Sequence, residues 1–176
     1  MPGRGWFVRT ALARFRSVEA VFTRAVDLQT GIAMLSPVHE YSVLIVERHL
    51  DTFGHVNNAT YLELFEAARW DWITANGFGL ERIRELRQGP TVLEVNLRFK
   101  REIKNRQAIT IRTWVETYEG KVVTVLQEMR DAAGQVYCEA RFLCALFDLA
   151  ARRLLAPTPD WLTALGIEPS AAAGKV

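Results

Sequence analysis

Histidine, cysteine and net charge are all in short supply in this 176-residue chain, which has three histidines, two cysteines and a formal charge of +2. So small a charge, with no compact Lys/Arg patch interleaved with aromatics, argues against a nucleic-acid binder. Cys138 and Cys144 fall in one predicted strand at an even separation. They share a face but cannot reach each other along a straight strand, so no intrachain disulfide is expected, which suits a reducing, cytoplasmic compartment. No apolar run reaches the ~18 residues that a membrane-spanning helix needs. The chain has no HExxH, GxGxxG, Walker or GxSxG motif, and no serine or cysteine stands in a convincing nucleophile context. His49, Asp51 and His55 are the one set able in principle to meet around a metal, and no cysteine pairing supports it. No metal and no cofactor is expected.

What is present is one domain's worth of chain, about 20 kDa with 49% apolar and 24% charged residues. Residues 1–36 are a basic extension: Trp6, Phe7, Leu12, Phe15, Val18 and Phe22 recur at helical spacing among five arginines. Three readings fit it: a helix lying on a membrane surface, an organelle transit segment, or a helix packed on the domain or a partner subunit. Pro37 marks the expected domain start, and the domain runs over 37–166. Residues 167–176 are small and polar and read as a flexible tail.

Within the domain, Val38 to Arg48 reads as a first strand. Tyr61, Leu62, Phe65, Ala68, Trp72 and Ile73 form an apolar stripe at 3.6-residue period. Asn57 or Asn58 caps that helix, and Asn76-Gly77 ends it. A connector with a helical piece over Leu80–Leu86 follows. After Pro90 the period becomes two: Leu93, Val95, Leu97 and Phe99 alternate with polar residues, the mark of a half-buried antiparallel strand. Three further strands (Ala108–Tyr118, Val122–Arg130 and Gln135–Phe147) are joined by short turns into a meander. A short helix over Asp160–Leu165 closes the domain. The fold class is α+β, an antiparallel sheet curled around one helix; its exposed edges make a homodimer the default.

The chemistry concentrates in the loop His49–Asn57. Asp51 is an isolated carboxylate followed by the bend at Gly54 and by His55, Asn57 and Asn58. A carboxylate so placed acts as a general base or a nucleophile, and the helix start beside it offers N–H groups and a positive dipole end to an oxyanion. The bland reading is that Asp51 caps the turn and His55 is a structural hydrogen-bonder. From the local residues alone, both readings stand.

The stretch DTFGHVNNATYLELFEAAR (residues 51–69), with the strand VLEVNLRF (92–99) and the three strands after it, resembles the 4-hydroxybenzoyl-CoA thioesterase type of the hotdog-fold superfamily. The resemblance covers residues 37–160. It implies a long sheet wrapped on a central helix, dimers and often tetramers, and an acyl-CoA thioesterase that releases a free acid and coenzyme A. It places the catalytic carboxylate at Asp51, with His55, Asn57 and Asn58 supporting it, and the oxyanion end at the Gly54–Asn58 bend and the turn after it, including Ala59. Arg98, Lys100, Arg101 and Lys104 are candidates for holding coenzyme A. Another branch of the superfamily puts the carboxylate on the helix, which here means Glu63 or Glu66; Glu66 is more simply a partner of Arg69 or of a neighbouring loop. The chain departs from the pattern at His49, where many relatives carry a second aspartate. An acyl-carrier-protein thioesterase and a non-catalytic binder of acyl thioesters, or of a membrane or protein partner, are the alternatives.

Overall fold

The computed structural model describes residues 25–26 and 33–168. Two short strands, β1 (Ala25–Val26) and β2 (Ala33–Met34), precede β3 (His39–Leu44), a 3-10 turn at Glu47–His49 and the central helix α1 (Asn58–Ala75). Then come α2 (Leu80–Leu86), β4 (Gln88–Phe99), β5 (Ala108–Glu119), β6 (Val122–Arg130), β7 (Val136–Asp148), β8 (Arg153–Leu154) and α3 (Pro159–Ala164). The main sheet runs β3-β5-β6-β7-β4, antiparallel throughout, with β8 alongside β7. This is the curled antiparallel sheet on one helix expected from the sequence. Bulges in β4 and β5 interrupt its registers, and such bulges bend a strand and increase its twist.

Alternation along each strand supplies the concave face. Ile109, Ile111 and Val115 of β5, Val123, Val125 and Met129 of β6, and Ala140, Phe142 and Leu146 of β7 are buried, as residues i, i+2, i+4 must be if one face is covered. Against them α1 presents Tyr61, Leu64, Phe65, Ala68, Trp72 and Ile73. Phe65 meets Phe142 edge-on at 6.0 Å. In the middle of this apolar contact sits a buried amide, Gln127. Its Nε2 donates to the Phe65 carbonyl at 3.1 Å and to Thr113 Oγ1 at 2.8 Å, and its Oε1 accepts from Arg69 Nη1 at 2.8 Å. Cys138 and Cys144 are free and buried; burial pushes their thiols up to about 12 and about 11, so both stay protonated and unreactive.

Several expectations change. The first strand ends at Leu44; Ile45 still bonds Gln107 and Arg106 at the turn before β5, and the 3-10 turn begins at Glu47. On α1 it is Leu64 that is buried, whereas Leu62 is 38% exposed, lying one residue and therefore ~100° around the helix from Tyr61. The strand around Pro90 begins earlier, at Gln88, and tolerates the proline because it is an edge strand paired only with β7. Of its apolar residues Leu97 packs against the core, but Val92, Leu93, Val95 and Phe99 are all exposed, and the bulge removes Leu93 from the face of its neighbours. At the start, Leu35 N–H donates to the Val115 carbonyl and buried Ser36 accepts from Val115 N–H, so the domain begins before Pro37. At the end, Ile167 is buried in the core and does not belong to a tail. The rest of the basic extension and of the tail lies outside the described residues.

Truncating Phe65→Ala removes the ring at the centre of the helix–sheet contact and should cost roughly 3–5 kcal/mol in urea unfolding. Leu62→Ala should change stability by less than about 0.5 kcal/mol in the monomeric domain; comparable losses from the two would show the inner face of α1 to be misassigned.

Candidate active site

The loop before α1 is built by its own backbone. Leu50 and Val56 bridge antiparallel, Asp51 N–H donates to the His55 carbonyl at 2.9 Å, and Gly54 N–H donates to the Asp51 carbonyl at 3.2 Å. The turn requires φ of +83° at Gly54, a left-handed conformation that glycine adopts without strain. Asn57 N–H reaches back to the His49 carbonyl at 3.0 Å, and the chain enters α1 there.

Asp51 is held on both carboxylate oxygens. Oδ1 accepts from Phe53 N–H at 2.8 Å, and Oδ2 lies 3.4 Å from His55 Nδ1. His55 Nε2 faces Glu102 Oε1 at 3.7 Å, and Phe53 stacks on the imidazole at 5.9 Å. Asp51 is thus a turn residue and a positioned carboxylate at once, so the two readings of the sequence are not exclusive.

Asp51, His55 and Asn58 line one cleft of about 360 Å³, floored by Tyr61 and Phe99 and rimmed by Lys100, Arg101 and Glu102. Burial above all, helped by neighbouring Cys138, Glu102 and Asp51, pushes the Tyr61 phenol above its usual value, so it stays protonated. Asn57 and Ala59 take a different part. The N-cap Asn57 Oδ1 accepts from Ala59 N–H at 2.9 Å, and Asn58 Oδ1 shares the same donor at 3.0 Å. Ala59 N–H is therefore occupied and is not an oxyanion donor, a correction to the expectation for that residue. Asn58 N–H, which takes no acceptor among the described residues, is a helix-start donor left over. Gly54 shapes the turn without lining the cleft.

The other candidates separate. Lys100 and Arg101 reach the cleft, with Lys100 paired to Glu139. Arg98 lines a pocket on the opposite face of the sheet with Trp114 and Glu128, and Lys104 meets His55 only as a backbone bridge. Neither Glu63 nor Glu66 lines the Asp51 cleft. Glu66 makes no hydrogen bond to Arg69 and acts on it through its charge alone: it accepts from Trp70 Nε1 at 3.4 Å, while the Arg69 guanidinium lies 4.0 Å over the Phe142 ring and bonds Gln127. Tyr61 and Phe99 read as core from their spacing, and Glu102 was hidden in a run of mixed charge. The one signal for it was its place directly after the long strand that carries Phe99.

His49, Asp51 and His55 do not converge on a common centre. His49 is buried, and its Nδ1 accepts from Val46 N–H at 3.1 Å. Arg48 Nε–H points at Nε2 from 3.3 Å, so two N–H donors compete for the single acceptor nitrogen that a neutral imidazole has. Burial first, then the Arg48 charge, holds His49 below its ordinary pKa, against an opposing pull from Glu63. Where many relatives of the resembled family carry an aspartate, this chain has a neutral turn-former.

Comparison with known proteins agrees with this architecture. Residues 45–165 match the family model described as the thioesterase-like superfamily. The long-chain acyl-CoA thioesterase FadM of Escherichia coli (strain K12) is 30% identical over 118 residues, 61% of this chain and 82% of that one. Among solved structures, the probable thioesterase YbaW of Escherichia coli superposes with a TM-score of 0.65 at 26% identity, over 72% of this chain and 98% of that one. The hypothetical protein SAV2348 of Staphylococcus aureus, in complex with CoA, shares the fold with a TM-score of 0.69 at 15% identity, over 82% and 97% of the two chains.

Because the folded state favours neutral His49, the unfolded chain takes up the proton first as pH falls. The stability this residue contributes is complete above about 6.5 and is lost as pH drops toward and through the depressed folded value. In His49→Asn, which keeps an acceptor for Val46 N–H, the loss of urea stability between about pH 7 and pH 5 should be smaller than in the parent. Equal losses would rule out His49 as the titrating group.

Proposed function

The chain belongs to the thioesterase-like superfamily, and we propose that it hydrolyses an acyl-CoA thioester to a free acid and coenzyme A at the cleft where α1 begins. The observation that carries the reading is Asp51, held by Phe53 N–H and His55 in the same cleft as Asn58 at the N-terminus of an 18-residue helix. With the thioester carbonyl oxygen at Asn58 N–H, the positive helix end stabilises the negative charge that builds on it. Asp51 takes a proton from water as the water oxygen bonds to the carbonyl carbon. Collapse of the tetrahedral intermediate breaks the C–S bond, and the proton passes to the departing thiolate. Direct attack by the Asp51 carboxylate, followed by hydrolysis of the anhydride, uses the same geometry. No cofactor enters either route.

Two supports favour an acyl-CoA over an acyl-carrier protein. Lys100 and Arg101 stand at the rim of the cleft, where the phosphates of a coenzyme would emerge, and FadM is named an acyl-CoA thioesterase. An apolar groove also leads away from the cleft between α1 and β4, bordered by Leu62 and Trp70 on one side and Phe99, Val95 and Val92 on the other, all exposed. That groove suits a long acyl chain. It also lies along an unpaired sheet edge, and pairing β4 with a second copy would roof the groove and cover the edge; the homodimer follows from this. No helix among the described residues is long and apolar enough to cross a membrane.

Asp51→Asn keeps the acceptor for Phe53 N–H and should lower kcat on an acyl-CoA panel by about 10²–10⁴-fold with an unchanged melting temperature. Activity within a few-fold of the parent would remove Asp51 from the chemistry. Val95→Lys places a charge on the β4 face and should convert dimer to monomer in sedimentation equilibrium; a parent protein that is already monomeric would refute the edge-paired dimer.

A further inference from the structure

Beside the Asp51 cleft, on its solvent side, stands an aromatic ring that the hydrolysis does not use. Phe53 is 83% exposed, more than any other large apolar residue among those described. A lone apolar side chain on a surface is ordinary, but this one is fixed in place. Its N–H donates to Asp51 Oδ1 at 2.8 Å, the left-handed Gly54 follows it at the bend, and its ring stacks on the His55 imidazole at 5.9 Å with 24° between the planes. His55 joins it to the cleft: Nδ1 lies 3.4 Å from Asp51 Oδ2, and Nε2 lies 3.7 Å from Glu102 Oε1 on the rim. Exposure rises outward along this wall, from Asp51 through His55 to Phe53. A ring held in this way loses little conformational freedom when an apolar group settles on it.

We propose that Phe53 is a specificity residue for the thiol half of the substrate: its ring receives the pantoyl unit, the gem-dimethyl segment of the pantetheine arm, where the arm leaves the cleft. The inference rests on the reading of the Asp51 cleft as the thioester site. Phe53 follows Asp51 by two residues, no more than about 7 Å of backbone, and its exposed ring reaches farther out. Along an extended pantetheine arm the gem-dimethyl carbon lies roughly ten bonds from the sulfur, on the order of 10–12 Å at bonds of ~1.5 Å. With the thioester carbonyl beside Asp51, the one compact apolar unit of the arm therefore falls level with the ring. The adenine, separated from that unit by a diphosphate and a ribose, falls well beyond it. The geminal methyls lose water against the ring face, the amides of the arm stay hydrated, and the phosphates are left to Lys100 and Arg101 on the rim. No bond is made or broken at this contact, so it holds ground state and transition state alike and belongs to KM, not kcat.

The test gives one acyl group, dodecanoyl, three leaving groups: coenzyme A, pantetheine, which lacks the nucleotide, and N-acetylcysteamine, which also lacks the pantoyl unit. The full-length parent is compared with Phe53→Ala and Phe53→Tyr, both of which keep the backbone N–H that Asp51 accepts. In Phe53→Ala, KM should rise about tenfold on the coenzyme A and pantetheine esters alike, with no matching rise on the N-acetylcysteamine ester. Phe53→Tyr retains the ring and should stay close to the parent on all three. A loss confined to the coenzyme A ester would mean that the ring meets the nucleotide. An equal loss on all three would make Phe53 a prop for the turn or, where sedimentation also changes, a contact between copies. Each of these results overturns the proposal, as does the absence of any loss. If no ester is hydrolysed, the thioesterase reading fails, and calorimetric binding of the pantetheine and N-acetylcysteamine esters decides the role of Phe53 separately. A parent preference for the pantetheine ester that Phe53→Ala removes would uphold it, and equal affinities would overturn it.

Discussion

Gln127 is the buried polar group on which the seating of the helix in the sheet turns. Apolar packing alone between α1 and the concave face is tolerant of small rotations and slides, because hydrophobic contact is non-directional. One amide with three partners is not: it bonds the Phe65 carbonyl, Thr113 Oγ1 and the Arg69 guanidinium, and shifting the helix would leave buried donors and acceptors unmatched at a cost of about 1–3 kcal/mol each. The rotation of α1 that this clamp selects turns Tyr61 and Phe65 inward and leaves Leu62 and Trp70 at the β4 border.

From that seating the site follows. The N-terminus of α1 must emerge beside the end of β4, where Phe99 and Tyr61 meet edge-on at 5.0 Å, and the loop before it must close within a few residues. The Gly54 turn and the Asn57 cap achieve this, and they bring Asp51 to the side of the helix end. The same arrangement has a cost at the sheet's edge. α1 lies closest to β3 and β5 and touches β4 through Tyr61 against Phe99, while Val92, Val95 and Phe99 of that strand stay exposed. The edge strand meets the cleft at Phe99, and a second subunit and an acyl chain are the two kinds of matter that would cover its exposed side chains.

Much of this was readable from residues alone. Alternation predicted β5, β6 and β7 to within a residue at their ends, and the three turns between strands fell where glycine and polar residues cluster. The cap at Asn57 and the isolated carboxylate at Asp51 were visible for a chemical reason: local hydrogen bonds between near neighbours make them, and near neighbours are what a sequence displays. His49 was visible as a departure, but its burial and its partnership with Val46 were not.

The order of elements, the curled sheet on one helix and the carboxylate at the helix start were determined by the sequence itself, because periodicity and capping are properties of contiguous residues. Only the tertiary structure decided which apolar residues are covered. Val95 and Phe99 of β4 follow the same alternation as Val123 and Val125 of β6 but sit at the rim of the sheet, and burial depends on what lies opposite, not on pattern. The same holds for Arg69. Its neighbour in sequence, Glu66, was the obvious partner, yet the amide that binds it comes from β6, fifty-eight residues away. Long-range packing chose that partner, and no spacing along the chain encodes it.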